Sequence, residues 1–125
     1  MSGVVHFGIY VDDIERAKKF YGDVFGWSFM AHGPPDFALV DPHGGSEFIR
    51  GAVQARHYAP VPDKVLGYEC TIAVPDVDAA AAAIEAHGGK IVMPRAAVPG
   101  VGWLVKFLDT EGNLACAMHF DETAA

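Results

Sequence analysis

From residue 4 to residue 11, apolar and less apolar side chains alternate. Val5, Phe7, Ile9 and Val11 share one face and His6, Gly8 and Tyr10 the other, the period-two pattern of a half-buried strand. The period then changes. Asp12 and Asp13 offer N-cap oxygens, Asp12 and Glu15 have capping-box spacing, and Ile14, Ala17, Phe20, Tyr21 and Val24 recur at helical intervals up to Gly26. A strand followed by an amphipathic helix is predicted. Three strand-like runs come next, at 27–31, 37–40 and 47–53, divided by the turn residues of GPPD and DPHGG.

The same order of patterns returns in GYECTIAVPDVDAAAAAIEAHGGKIV. Cys70, Ile72 and Val74 alternate with Glu69, Thr71 and Ala73, Asp76 stands at a helix start, and Gly88 and Gly89 end that helix. Val11 and Val74, Asp13 and Asp76, and Gly26 and Gly89 are each 63 residues apart, and the same offset carries His6 onto Glu69. Strand-like runs follow at 90–93, 102–108 and 113–120, with about five extra residues near PRAAVPG. The predicted class is α+β: one domain over 1–125, made of two tandem βαβββ modules at about 4–54 and 67–120, joined by a linker at about 55–66 that holds RHYAPVPDK. Strands with one apolar, helix-facing side and one mixed side imply sheets around a shared concave cavity. His6, Tyr10, Glu69 and Thr71 are expected to line it.

Composition narrows the functions. Hydrophobic residues at 51% and charged residues at 20% suit a compact core, and a net charge of −7 without a basic cluster excludes a nucleic-acid backbone as partner while tolerating a cationic small molecule. No apolar run approaches the roughly 20 residues of a membrane span, and the first residues lack a charged region followed by an apolar signal core, so no membrane partner and a cytoplasmic location are expected. Cys70 and Cys116, the two cysteines, form no CxxC pair and fall on opposite faces, so no disulfide joins them. PGVG lacks the spacing and setting of a phosphate-cradling loop. His43, His57, His87 and His119 fall in turns, linker, helix end and strand end, where solvated or structural roles are expected.

The capped helix ending in FYGDVFGW, the second strand and helix ending in AHGGKIV, and the run GVGWLVKFLDTEGN together resemble the vicinal oxygen chelate superfamily, which takes in glyoxalase I, bleomycin-resistance proteins, fosfomycin-resistance enzymes and extradiol dioxygenases. The resemblance is nearest to small bacterial proteins related to lactoylglutathione lyase. It implies a glyoxalase-type fold and a homodimer, but leaves the chemistry open.

Metal-dependent members of the superfamily place a ligand on the first and last strand of each module. His6 fits the first of these places. Glu69 stands where a second histidine is usual, Cys116 where a glutamate is usual, and Phe48 at the remaining place. His6, Glu69 and Cys116 are therefore the candidate ligands for zinc, nickel or manganese, but the departures make a pocket without any cofactor the expectation. Two histidines and one carboxylate for non-haem iron cannot be assembled from these positions, which argues against extradiol dioxygenase activity, and the altered ligands argue against true glyoxalase I.

Candidate catalytic residues are Glu69 as general base and His6 as the group that polarises or orients substrate; the plain alternative is a His6–Glu69 hydrogen-bonded pair. Tyr10, Phe48, Thr71, Trp103 and Met118 are candidate ligand-binding residues, although alternation in VGWLVKFL does not fix which face Trp103 takes. Three functions follow: a glyoxalase-related enzyme acting on a small oxygenated molecule, a metal-free binder of an antibiotic-like compound as in bleomycin resistance, or a regulatory domain whose cavity is filled by side chains.

Overall fold

A computed structural model of the chain describes residues 2–125. The chain groups into two compact units, His6–Tyr68 and Glu69–Ala125, the latter also taking in the residues up to Val5.

The first module contains β1 (Gly3–Val11), α1 (Ile14–Phe25), β2 (Ser28–Ala31), β3 (Phe37–Asp41) and β4 (Arg50–Ala55). Its strands lie in the order β2-β3-β4-β1, with β1 parallel to β4 and the other pairs antiparallel. The second module contains β5 (Tyr68–Ala73), α2 (Val77–Ala86), β6 (Lys90–Val98), β7 (Gly102–Leu108) and β8 (Leu114–Phe120). Its order is β6-β7-β8-β5, with β5 parallel to β8. The two modules share one topology, as the 63-residue repeat requires. The α+β class with βαβββ modules is therefore correct.

Each helix packs on the apolar face of its own strands. Ile9, Ala38, Val40 and Val53 form the buried centre of the first module, with Phe7, Val11, Ile14, Tyr21, Trp27 and Phe29 against it. Val77, Val105 and Ala117 form that of the second, flanked by Val74, Ala80, Ala81, Ile91, Trp103 and Phe107. Fully buried valines such as Val40, Val53, Val77 and Val105 each contribute about 1.5 to 3 kcal/mol of transfer free energy. The alanine-rich α2 has little side-chain bulk, so it lies close to β6, β7 and β8.

Local chemistry sets the ends of these elements, and in four places it differs from the sequence expectation. The N-cap of α1 is Asp13, whose carboxylate accepts from the Arg16 N–H at 3.0 Å, and not an Asp12 capping box. Asp12 instead accepts from Arg56 Nε at 2.6 Å. The last strand of the first module begins at Arg50, later than expected, because His43 and Gly45 take positive φ values of 63° and 58° and carry the turn onward. Phe48 consequently lies outside the strand, 58% exposed, with its ring against Gly44.

The extra residues near PRAAVPG lengthen β6 to Val98, with register shifts on either side of Met93 that accommodate Pro94. The linker is also more ordered than its composition suggests. Arg56–Tyr58 form a 3-10 turn, Arg56 donates to the Val65 carbonyl at 2.5 Å, and His57 and Tyr58 donate to Asp36 at 2.7 and 2.6 Å.

Candidate functional site

Register sets which side chains share the face of each sheet turned away from its helix. In the second module Thr71 stands beside Cys116, Ala73 beside Met118, Cys116 beside Lys106 and Met118 beside Leu104. Glu69, two residues before Thr71 on β5, has the same parity. Glu69, Thr71, Cys116 and Met118 are 4%, 7%, 2% and 9% exposed. Four of the expected site residues thus lie together.

The structure adds a fifth residue to them. The Lys106 ammonium lies 3.0 Å from Glu69 Oε1 and donates to Oε2 at 3.3 Å, with both side chains largely withdrawn from water. A carboxylate removed from solvent needs such a partner. Lys106 was not singled out in the sequence; it is the single charge in the apolar run of β7, at the same parity as Leu104.

Cys116 is not poised as a nucleophile. Burial pushes its thiol up to about 11; the Glu69 charge adds to this, while the Thr71 hydroxyl and Lys106 oppose it. Metal binding needs a thiolate and a carboxylate free to coordinate. The thiol is held protonated and the carboxylate already faces a cation. Among the described residues, no three His, Cys, Asp or Glu side chains are grouped to hold a metal ion.

Trp103 belongs elsewhere. It packs into the helix-facing cluster of the second module, its indole N–H donates to Asp121 at 3.1 Å, and the Arg95 guanidinium lies 4.4 Å from its ring centre. The sequence left its face open, because β7 carries large apolar groups on both sides. Phe48, off its strand, is likewise not part of a sheet face. Cys70 and Cys116 are both free, as expected from their opposite faces.

In the first module the corresponding face carries His6 beside Arg50, Gly8 beside Ala52 and Tyr10 beside Gln54. Tyr10 and Gln54 are buried, at 4% and 7% exposure. The Gln54 amide lies over Gly8, where an added Cβ would come within 2.8 Å of its nitrogen and push that side chain aside. Tyr10 also borders an open cleft of about 400 Å³ at the start of α1, together with Arg16, Phe20, Tyr21 and Arg56. Gln54 was not singled out in the sequence, where nothing separates it from a polar strand end.

Residues 4–41, under half of the chain, match the family described as bleomycin resistance protein-like N-terminal. No curated protein matches. Among solved structures, the Mn(II)-bound glyoxalase from Novosphingobium aromaticivorans is 23% identical with a TM-score of 0.69, covering 98% of this chain and 40% of that one. Methylmalonyl-CoA epimerase from Mycobacterium tuberculosis is 18% identical with a TM-score of 0.66, covering 95% and 88% of the two chains. A glyoxalase/bleomycin resistance/dioxygenase superfamily member from Vibrio splendidus 12B01 is 17% identical with a TM-score of 0.64, covering 95% and 99%. At these identities the likeness concerns fold. The chain therefore has the fold of the glyoxalase/bleomycin resistance/dioxygenase superfamily, and its residues 4–41 carry the sequence pattern of a bleomycin resistance-like N-terminal module.

Proposed function

We propose that this chain is a metal-free protein that binds a small oxygenated molecule, with Glu69 and Lys106 as the polar elements of its site and Thr71, Cys116 and Met118 around them. The observation that carries this is the Lys106 ammonium 3.0 Å from Glu69, where a metal-dependent relative would need an available ligand. An ion pair offers one acceptor and one donor about 3 Å apart and no net charge. A neutral ligand with a hydroxyl next to a carbonyl satisfies both. Because the pair is nearly sealed from water, a ligand reaching it displaces the side chains that cover it. The net charge of −7 also favours the approach of cationic compounds.

The enzymatic alternative makes Glu69 the base and His6 the orienting group; its support is that Glu69 is a buried carboxylate. Calorimetric titration of a small-molecule panel in the presence of EDTA separates these readings. Saturable binding without product supports the binder, and turnover abolished by Glu69→Gln supports the enzyme. Retained binding in Lys106→Met would remove the proposed site.

Two further parts of the proposal concern surroundings. A homodimer is supported by α1, an amphipathic helix with no buried residue and with Phe20, Val24 and Phe25 at 56%, 56% and 61% exposure. A reducing, cytoplasmic setting is supported by two unpaired cysteines. No helix among the described residues is long and apolar enough to cross a membrane.

A further inference from the structure

We infer a second, separate site in the first module: a serine nucleophile, Ser28, activated by His43 and oriented through Asp41, that cleaves small carboxylic esters. Ser28 opens β2 and stands directly beside Asp41, the last residue of β3. The hydroxyl of Ser28 donates to His43 Nε2 at 2.6 Å in the tautomer that carries its proton on Nδ1. That Nδ1 faces Asp41 Oδ2 at 3.8 Å, and the other oxygen, Asp41 Oδ1, accepts the His43 backbone N–H at 2.9 Å. Nucleophile, base and orienting carboxylate thus stand in chemical order, with the looser second contact common before substrate is bound.

Two independent observations favour a site over a hydrogen-bonded turn. His43 is the one non-glycine residue with positive φ among those described, at 63°, a backbone state that is uncommon for a residue with a side chain and that aims its ring back at Ser28. Arg50 adds charge on the far side of Asp41, with a guanidinium nitrogen 3.8 Å from Oδ1 and about half of its side chain exposed. The His43 backbone N–H first, then the His43 and Arg50 charges, hold the Asp41 carboxyl below its ordinary range, so it is ionised as an orienting carboxylate must be. Both Ser28 and His43 are open to solvent, so a substrate needs no entry path. Nothing here depends on Glu69 or Lys106.

In the step, Ser28 Oγ bonds to the ester carbonyl carbon as His43 Nε2 takes its proton. The tetrahedral intermediate expels the alcohol, which leaves with that proton, and water then cleaves the acyl-serine by the same route. No oxidant or other reactant is required. Asp41 acts as a positioning residue.

The test is labelling of the intact protein with an alkyl fluorophosphonate, in which the serine oxygen–phosphorus bond forms, fluoride leaves and His43 takes the proton. Mass spectrometry should find one adduct per chain on Ser28, absent after heat denaturation. Labelling should fall by at least about 100-fold in His43→Asn, chosen because asparagine tolerates positive φ but is no base. Ser46→Ala, in the same turn, should label normally, and Asp41→Glu should retain what Asp41→Asn loses. Hydrolysis of 4-nitrophenyl acetate should follow the same order. No adduct on Ser28, or labelling at equal rates in the His43→Asn variant, would overturn the inference.

Discussion

Glu69 and Lys106 balance each other. Both charges are withdrawn from water, so Lys106→Met, which takes away a cation held against Glu69, should destabilise the fold by about 1 to 3 kcal/mol in denaturant titration. Replacing both residues by methionine should return much of that loss, because two apolar side chains satisfy each other there. A double mutant as unstable as the single one would show that the pair is not what matters. Cys116 gives a pH-dependent counterpart. Its folded thiol holds its proton up to about 11, whereas the unfolded one releases it near 9.0, so the unfolded state gains as pH rises through that interval. Stability should fall by about 2 to 3 kcal/mol between those values, and Cys116→Ala should lack that part of the fall. The sequence made Glu69 and Cys116 visible through the repeat, but it hid their partner. A lysine on a strand normally reads as solvent-facing, and only the register with β8 brings Lys106 inward.

At the scale of elements, the caps and glycines bear the most direct tests. Asp13→Ala should cost about 1 kcal/mol by loss of the α1 cap, while Asp12→Ala leaves the helix intact and releases Arg56; far-ultraviolet circular dichroism with thermal melting distinguishes the two. Gly102→Ala should destabilise by about 1 to 3 kcal/mol or more, because its Cβ would meet the backbone carbonyl of His119 on the neighbouring strand, which cannot step aside. Helix positions and strand faces were legible because 3.6-residue and two-residue periods are written in individual side chains. Strand ends were less so. The start of β4 depends on positive φ at His43, which no period announces, and the length of β6 depends on bulges that absorb a proline. Trp103 shows the limit of alternation. In β7 both faces carry large apolar groups, so the face is decided by packing against Val77 and Val105 and not by pattern.

At the scale of the molecule, an exposed aromatic helix face and a Glu69–Lys106 pair withdrawn from water are the two features with consequences for function. If α1 mediates dimerisation, sedimentation equilibrium should give twice the 13.3 kDa chain mass, reduced to that of one chain by Phe25→Asp together with Phe20→Asp. A single-chain mass for the unaltered protein would remove that proposal. The repeat made the architecture readable from sequence, whereas the chemistry was not, because a scaffold shared by lyases, dioxygenases and binders says little about which side chains meet. The most direct measurement is metal content by inductively coupled plasma mass spectrometry on untagged protein, paired with melting curves after addition of zinc, nickel or manganese. Far less than one metal per chain and no upward shift in melting temperature are predicted, since Lys106 already neutralises Glu69 and Cys116 keeps its proton. One tightly held metal per chain, lost in Glu69→Gln, would contradict the metal-free site.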